Sequence, residues 1–464
     1  MAAFDLIVLG GGPAGYVCAI RAAQLGLATA VVEQEKLGGV CVNIGCIPTK
    51  ALLHSARVAN LVQHELAGLG VSVKDVTTDY GEAMKRSRKV SEQNAKGVEF
   101  LMKKHQVTVI KGTGTLVAGK KVKVGTEVHE ARKAVVIATG SRVKGIPQIG
   151  LDINKTTVIS SDEALFLDAT PGSMAIVGAG AVGCEFADIF NAFGCAITLV
   201  EAMPRILPLE DADASDTVAK SFTKRKIRVL AGAKVQKATI GAKGVTLEIE
   251  TGGKTEKIEV EKVLMAAGRA VNTEQMGFKE VGVELTPQGF VKVTPGTLET
   301  TAKGIYCIGD VAGPPMLAHK GSREGVFVAE LIAGQHPHPI KYDNVPSVTY
   351  CHPEVASIGL TEDQCKEKKL GYQVGKFPFS ANGRARATND TEGFVKIIRD
   401  TKYGEILGAH IVGGHASEMI HELAVARENE YTVEEVDLAI HAHPTLSEAI
   451  AEACLDSMGR VIHA

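Results

Sequence analysis

The chain has 464 residues, with 53 acidic and 51 basic side chains and a formal net charge of -2. At about 150 residues per domain this length suggests about three domains, and the near-neutral balance gives no basic field to draw nucleic acid or an anionic membrane surface. An apolar content of 45% is ordinary for a soluble globular protein, whereas 50 glycines, about 11%, exceed the usual ~7% and point to loops of close backbone approach. No apolar run reaches the ~18 residues of a transmembrane helix, and the N-terminus reads as buried strand rather than leader, so the expected address is cytoplasmic. Nine cysteines, an odd number spread along a long chain, do not suit a secreted disulfide framework.

The first predicted element is the strand in "FDLIVLGGG", and it opens a unit that the chain repeats. "DLIVLGGGPAGYVCAIRAAQLGLATAVVEQ" (5–34) and "SMAIVGAGAVGCEFADIFNAFGCAITLVEA" (173–202) each read as apolar strand, G-x-G-x-x-G, small-residue helix, a glycine after the helix (Gly26, Gly194) and a strand ending in glutamate. Gly10, Gly12 and Gly15 precede Glu33, and Gly178, Gly180 and Gly183 precede Glu201; the first glycine stands 23 residues before the acid in both copies. In such a turn the first glycine permits the bend and the second lets the backbone approach a pyrophosphate. The third lets helix pack on strand, while the acid accepts from a ribose hydroxyl. A single fingerprint is weak evidence; two complete ones predict two Rossmann units and two dinucleotides. Glu201 favours NAD over NADP by repelling a 2′-phosphate, with Arg205 downstream as the reservation.

Between the copies lies "CVNIGC" (41–46), followed by a predicted helix with Pro48 in its first turn and Lys50 nearby. Three readings apply to Cys41 and Cys46. A staple closing so short a loop contributes only ~2 kcal/mol, against ~4.7 for a 100-residue loop. Zinc needs two further ligands, and no second close cysteine pair exists. A redox pair suits the helix amino terminus and Lys50, both of which favour a thiolate. The residues favour redox chemistry and leave structural or sensory roles open.

"AVVIATGS" (134–141) and "VLMAAGRA" (263–270) are predicted strands ending in matching glycine turns, with the second Rossmann unit between them. "TTAKGIYCIGDVAG" (300–313) is another, ending at Asp310, where a carboxylate suits a ribityl hydroxyl. Residues 342–464 lack a glycine fingerprint and alternate strands with helices as an α+β unit. There "HAHPTLSEA" (441–449) holds His443 before Pro444, with Glu448 on the following helix, an acid–base candidate beside the competing reading of a surface histidine.

"GGVCVNIGCIPTK", both fingerprints, "IYCIGD", "GPPMLAHK", "VPSVTYCHPEVASIGLTE" and "HAHPTLSEA" together resemble the FAD-dependent pyridine nucleotide–disulfide oxidoreductases, in family order from Asp5 to about residue 460. The resemblance implies an α/β fold with two Rossmann-like domains, for FAD and for an inserted NAD site, and a C-terminal α+β dimerisation domain. Its implied boundaries are 1–145 for FAD with the redox pair, 146–272 for NAD, 273–341 for the second part of the FAD and central domain, and 342–464 for dimerisation. Cys41 is implied as the interchange thiol and Cys46 as the thiolate against the flavin, with Lys50 near it. Gly10, Gly12, Gly15, Glu33, Gly114, Thr139, Asp310 and the run Met316, Leu317, Ala318 and His319 are implied to hold FAD. Gly178, Gly180, Gly183, Glu201, Val235 and Gly268 are implied to hold NAD, and no metal is expected. His443 and Glu448 would serve the dithiol of the other subunit in a homodimer.

Within the family the motifs are nearest to the branch oxidising protein-bound dihydrolipoyl groups with NAD. That branch implies a small dithiol substrate and, as partner, the lipoyl-bearing acyltransferase core of a 2-oxo acid dehydrogenase complex. Val40, where threonine is usual, and Cys307, where alanine is common, depart from the pattern. Glutathione reductases prefer arginines where Glu201 stands, and mercuric reductases carry a C-terminal cysteine pair absent here. A transhydrogenase reading conflicts with the intact cysteine pair. A nucleotide-sensing scaffold with a redox switch is the non-enzymatic alternative.

Overall fold

The structure, a computed structural model, describes residues 3–464 and forms two compact units. The first comprises the chain to Ala51, Glu82–Lys144 and Gly268–Ile340. Its sheet runs parallel through Thr108–Lys111, Thr29–Glu33, Ala3–Leu9 and Glu127–Ile137, which also pairs in parallel with Ile305–Cys307. Lys121–Val124 and Gly114–Val117 extend it antiparallel. Strands covered on both faces read as unbroken apolar runs, and Leu6 to Val8, Ala30, Val31 and Val135 to Ile137 are all fully buried. The helix Pro13–Gln24 packs on this sheet through Ala14, Cys18, Ala19 and Ala22. Such small side chains let the backbones come close: a Cβ on Gly325 of the helix Ala318–Ile332 would stand 2.6 Å from the Ala14 carbonyl oxygen.

The second unit comprises Leu52–Gly81, Gly145–Ala267 and the chain from Lys341. A five-stranded parallel sheet is ordered Arg228–Ala231, Ala196–Glu201, Ser173–Val177, Lys262–Met265, Val158–Ser160. Beside it Ala233–Gly241, Gly244–Thr251 and Lys254–Val260 form an antiparallel sheet. Its second hairpin turns at Gly252 and Gly253, both at positive φ (58° and 78°), as a two-residue turn matched to strand twist requires. The segment leading to Gly81 belongs here because the Tyr80 ring packs 5.1 Å from Phe190 and 5.5 Å from Phe193, and its hydroxyl donates to the Ala164 carbonyl.

From Ser347 the chain builds a five-stranded antiparallel sheet, backed by the helices Ala416–Glu428 and Glu448–Ser457. Lys396 in this sheet is 1% exposed. Its ammonium lies 2.8 Å from Asp211, 2.9 Å from Glu362 and 3.1 Å from Asp213. Burial alone would lower the lysine, but the three carboxylates hold it above its ordinary range, and Lys396 with Lys366 draws Glu362 down to about 2. The cation so matched ties Asp211 and Asp213, at the start of the helix Ala212–Lys224, to the C-terminal sheet, because removing the carboxylates would leave the ammonium buried and uncompensated.

Candidate functional site

The two fingerprints fold into the same local geometry. A Cβ on Gly10 would lie 2.2 Å from the Ala138 carbonyl oxygen, and one on Gly178 would lie 2.5 Å from that of Ala266. A Cβ on Gly15 or Gly183 would fall 1.9 Å from the carbonyl oxygen of Gly10 or Gly178. Both first glycines are left-handed, at φ 104° and 101°, so the turn excludes side chains twice over. The second glycine differs. A Cβ on Gly12 would meet nothing nearer than 3.9 Å, and one on Gly180 nothing within 4 Å. That glycine opens onto free space at the start of a helix, and neither helix amino terminus carries a side-chain cap. Backbone N–H groups facing an open, side-chain-free approach form a cradle that fits a dinucleotide pyrophosphate.

The acids are tied to these loops in the same way. Glu33 accepts from the backbone N–H of Gly11 (2.7 Å) and of Glu35 (2.7 Å). Glu201 accepts from those of Ala179 (2.7 Å) and Met203 (2.8 Å). Each carboxylate is thereby aimed along the strand end with lone pairs left for a ribose. Arg205, the reservation about NADP, is engaged by Asp363 at 3.0 Å.

Other expected positions differ in what holds them. Thr139 donates to the Asn272 carbonyl (2.7 Å) and its own carbonyl accepts from the Asn272 amide (2.9 Å), which locks the end of the Glu127–Ile137 strand. Asp310 accepts from the Ser141 hydroxyl at 2.5 Å, and the Arg269 guanidinium lies 4.0 Å away. Gly114 is a packing glycine, since a Cβ there would sit 2.7 Å from Leu9. Met316 packs on the apolar core, while Leu317, Ala318 and His319 form the entry of the helix Ala318–Ile332. Val235 packs on the core of the second unit. Gly268, at φ 113°, falls in the first unit, unlike Gly178, Gly180, Gly183 and Glu201.

Cys41 lies in the short helix Gly39–Ile44, and Cys46 is the first residue of the helix Cys46–Asn60, after a break at Gly45. Pro48 therefore occupies the first turn. The two thiols hydrogen bond each other. That bond, then burial, raises Cys41 far above an ordinary thiol, against the opposing pull of the Lys50 ammonium. A Cys41 that keeps its proton leaves the first negative charge to Cys46, at the positive end of its helix. Tyr16, which no motif singled out, is raised mainly by burial, with the Cys41 thiol as a smaller electrostatic influence. Of the two departures, Val40 borders the break at Gly45, and Cys307 is fully buried in its strand.

The histidines of "HAH" are unlike. His441 spends both ring nitrogens, one on Glu422 (2.7 Å) and one on the Ala439 carbonyl (2.8 Å), and its side chain is 10% exposed. His443 is 79% exposed and gives Nδ1 to Glu448 Oε1 at 2.8 Å, while Glu448 Oε2 accepts from the Thr445 N–H. Burial would raise Glu448, but the Thr445 N–H and His443 hold it below the usual carboxylate range. With Nδ1 committed to a carboxylate, Nε2 is the nitrogen available for proton transfer. Cys41 and Cys46 belong to the first unit and His443 and Glu448 to the second.

No helix is long and apolar enough to cross a membrane among the described residues. Residues 4–325 match the family model described as pyridine nucleotide-disulphide oxidoreductase, and residues 345–454 match that family's dimerisation domain. Proteins named dihydrolipoyl dehydrogenase from Rhizobium etli and Zymomonas mobilis are each 43% identical, over 99% of both chains, and one from Mycobacterium leprae is 41% identical over 100% of both. Among solved structures, LpdA from Mycobacterium tuberculosis superimposes with TM-score 0.89 at 27% identity, covering 98% of this chain and 99% of that one. The HOCl-induced flavoprotein disulfide reductase RclA from Escherichia coli reaches 0.83 at 27% identity, covering 96% and 98%. On matches of this extent the chain belongs to the pyridine nucleotide-disulphide oxidoreductase family, an FAD- and NAD-using enzyme that dimerises through its C-terminal domain.

Proposed function

We propose that the protein oxidises protein-bound dihydrolipoyl groups to the lipoyl disulfide with NAD⁺. The carrying observation is the Cys41–Cys46 thiol contact, standing in a chain 43% identical over nearly its whole length to proteins named for that activity. In the oxidised enzyme a substrate thiolate attacks Cys41, forming a mixed disulfide and releasing Cys46 as thiolate. The second substrate thiol then attacks its own sulfur in the mixed disulfide, and Cys41 leaves to take a proton. His443 Nε2 accepts the proton lost from the substrate, and Glu448 stabilises the resulting imidazolium. Bound FAD supplies the two-electron path from the reduced pair to NAD⁺. Lys50 and the helix amino terminus hold Cys46 as the thiolate between these steps.

The first fingerprint with Glu33, Lys50, Gly114, Thr139, Asp310 and Met316 to His319 is assigned to FAD. The second, with Glu201, Val235 and Gly268, is assigned to NAD. The domain assignment follows: 1–145 and 273–341 around FAD, 146–272 around NAD, 342–464 for dimerisation. His443 is exposed in a loop beside Leu438 (78% exposed) and Ile440 (101%), a face suited to cover by a second copy, where the imidazole would serve that copy's thiols. The lipoyl-bearing core of a 2-oxo acid dehydrogenase complex is the expected partner, and the cytoplasm the expected compartment. NAD-linked turnover of dihydrolipoamide, compared with NADPH-linked turnover of oxidised glutathione, tests the reading; dominance of glutathione overturns it.

Nucleotide choice is separately testable. Glu201→Arg replaces a carboxylate with a cation beside the ribose 2′ position, so kcat/KM should fall for NAD and rise for NADP. Wild-type enzyme that already uses both equally would remove Glu201 from this role, since Arg205 is held by Asp363.

A further inference from the structure

The helix Gly39–Ile44 that carries Cys41 has only six residues, too few for stability on its own. The carbonyls of its last four residues, 41 to 44, have no partner within the helix. They also carry the negative end of its dipole, and they face the break just before Cys46, where a thiolate is needed. Two of these carbonyls are met from one helix. Ser91, 1% exposed in Tyr80–Lys104, donates its hydroxyl to the Val42 carbonyl at 2.7 Å and lies 3.2 Å from that of Asn43. The Arg88 guanidinium donates to the Asn43 carbonyl, and Arg86, on the same helix, donates to the Ala51 carbonyl at 2.9 Å. From within, the Asn43 amide donates to the carbonyls of Leu37 (3.0 Å) and Gly39 (2.9 Å).

We infer that Arg88, assisted by Ser91, is a positioning residue for the redox pair: its cation caps the carboxyl end of the Cys41 helix, holds the break at Gly45 and cancels the partial negative charge that would oppose a thiolate at Cys46. Arg88 acts through the Asn43 carbonyl. Its guanidinium is itself partly desolvated, which lowers it from its ordinary value, and an arginine stays charged at any physiological pH. The inference rests on the redox reading of Cys41 and Cys46 given above.

The test uses the full-length holoenzyme dimer with the pair reduced, and follows iodoacetamide alkylation of the pair against pH together with the reduction potential of the pair in dithiothreitol buffers. Arg88→Met should move the alkylation profile to higher pH and slow it about two- to five-fold at neutral pH, the size of a helix-end charge effect. Arg88→Lys, which keeps the cation, should recover most of the rate. Ser91→Ala should change it less, because no charge is lost. An Arg88→Met profile that overlays the wild type would overturn the inference, as would a lysine variant as slow as the methionine one. Should the methionine variant fail to fold, the lysine and Ser91→Ala comparison still decides: the inference requires alkylation near the wild-type rate in Arg88→Lys and fails if it is lost there. Dihydrolipoamide turnover by the wild type reads the proposed function and is independent of these rates.

Discussion

Cys41→Ser should reduce dihydrolipoamide oxidation by on the order of 10³-fold or more, because serine cannot form the mixed disulfide through which the electron pair leaves the substrate. Cys46→Ser should lose as much, since the partner sulfur that makes the bridge is gone. The two variants should nonetheless be chemically distinct. In Cys41→Ser the remaining thiol sits at the amino terminus of its helix, with Lys50 one turn on, and should be alkylated rapidly near neutral pH. In Cys46→Ser the remaining thiol lies one helix earlier, in the first turn of a helix of only six residues, and its partial burial should move its reaction to higher pH. Both should retain the fold, since a bridge across so short a loop contributes only ~2 kcal/mol. Thermal melting and thiol alkylation check this pair of claims. Unfolding by either substitution, or lipoamide turnover near normal, would make the cysteines a staple.

His443→Gln should lower dihydrolipoamide turnover by about 10²- to 10⁴-fold, the usual span for removal of a general acid–base. NADH oxidation by an artificial dye should be little changed, because that route needs no substrate thiol. Glu448→Gln should act in the same direction and less severely, since it leaves the imidazole in place and removes only its orienting charge. The sign of the pH effect follows from Glu448, whose folded carboxyl is depressed. Its pairing with His443 is present above the ordinary carboxylate value, about 4.3, and is lost as pH falls through the lower folded value. Equal turnover in wild type and His443→Gln would return His443 to the surface histidines. His441→Gln is the matched control, because its ring nitrogens are already taken by Glu422 and Ala439.

What could be read from the residues was what local chemistry encodes. Apolar runs broken by G-x-G-x-x-G place strand, turn and helix within thirty residues, and the structure has both copies, with Gly26 and Gly194 at positive φ just after the two helices. The alternating strands after residue 342 are likewise present as an antiparallel sheet. The contact between Cys41 and Cys46 is local as well, being five positions in sequence and one break in a helix. Distant partners were not legible. Arg88 meets Asn43 across 45 residues, Arg205 meets Asp363 across 158, and Lys396 meets Asp211 across 185. In sequence each of these is one charge in an ordinary solvated pattern, and only the folded chain selects its partner. Tyr16 was missed for the same reason, since it stands on the helix Pro13–Gln24 and Cys41 on the separate helix Gly39–Ile44.

The glycine geometry also bears on how such a protein can be changed. At the first and third positions of each fingerprint an added carbon would collide with main-chain oxygen at 1.9 to 2.5 Å, and no side-chain rearrangement relieves a clash with backbone. Mutational libraries directed at those sites would return mainly misfolded variants. At Gly12 and Gly180 the same carbon meets empty space, so an alanine there should fold normally and act only on the nucleotide that must pass over it. Each loop thus separates the freedom to fold from the freedom to bind, residue by residue. An engineer seeking weaker cofactor retention without loss of protein would change the middle glycine alone.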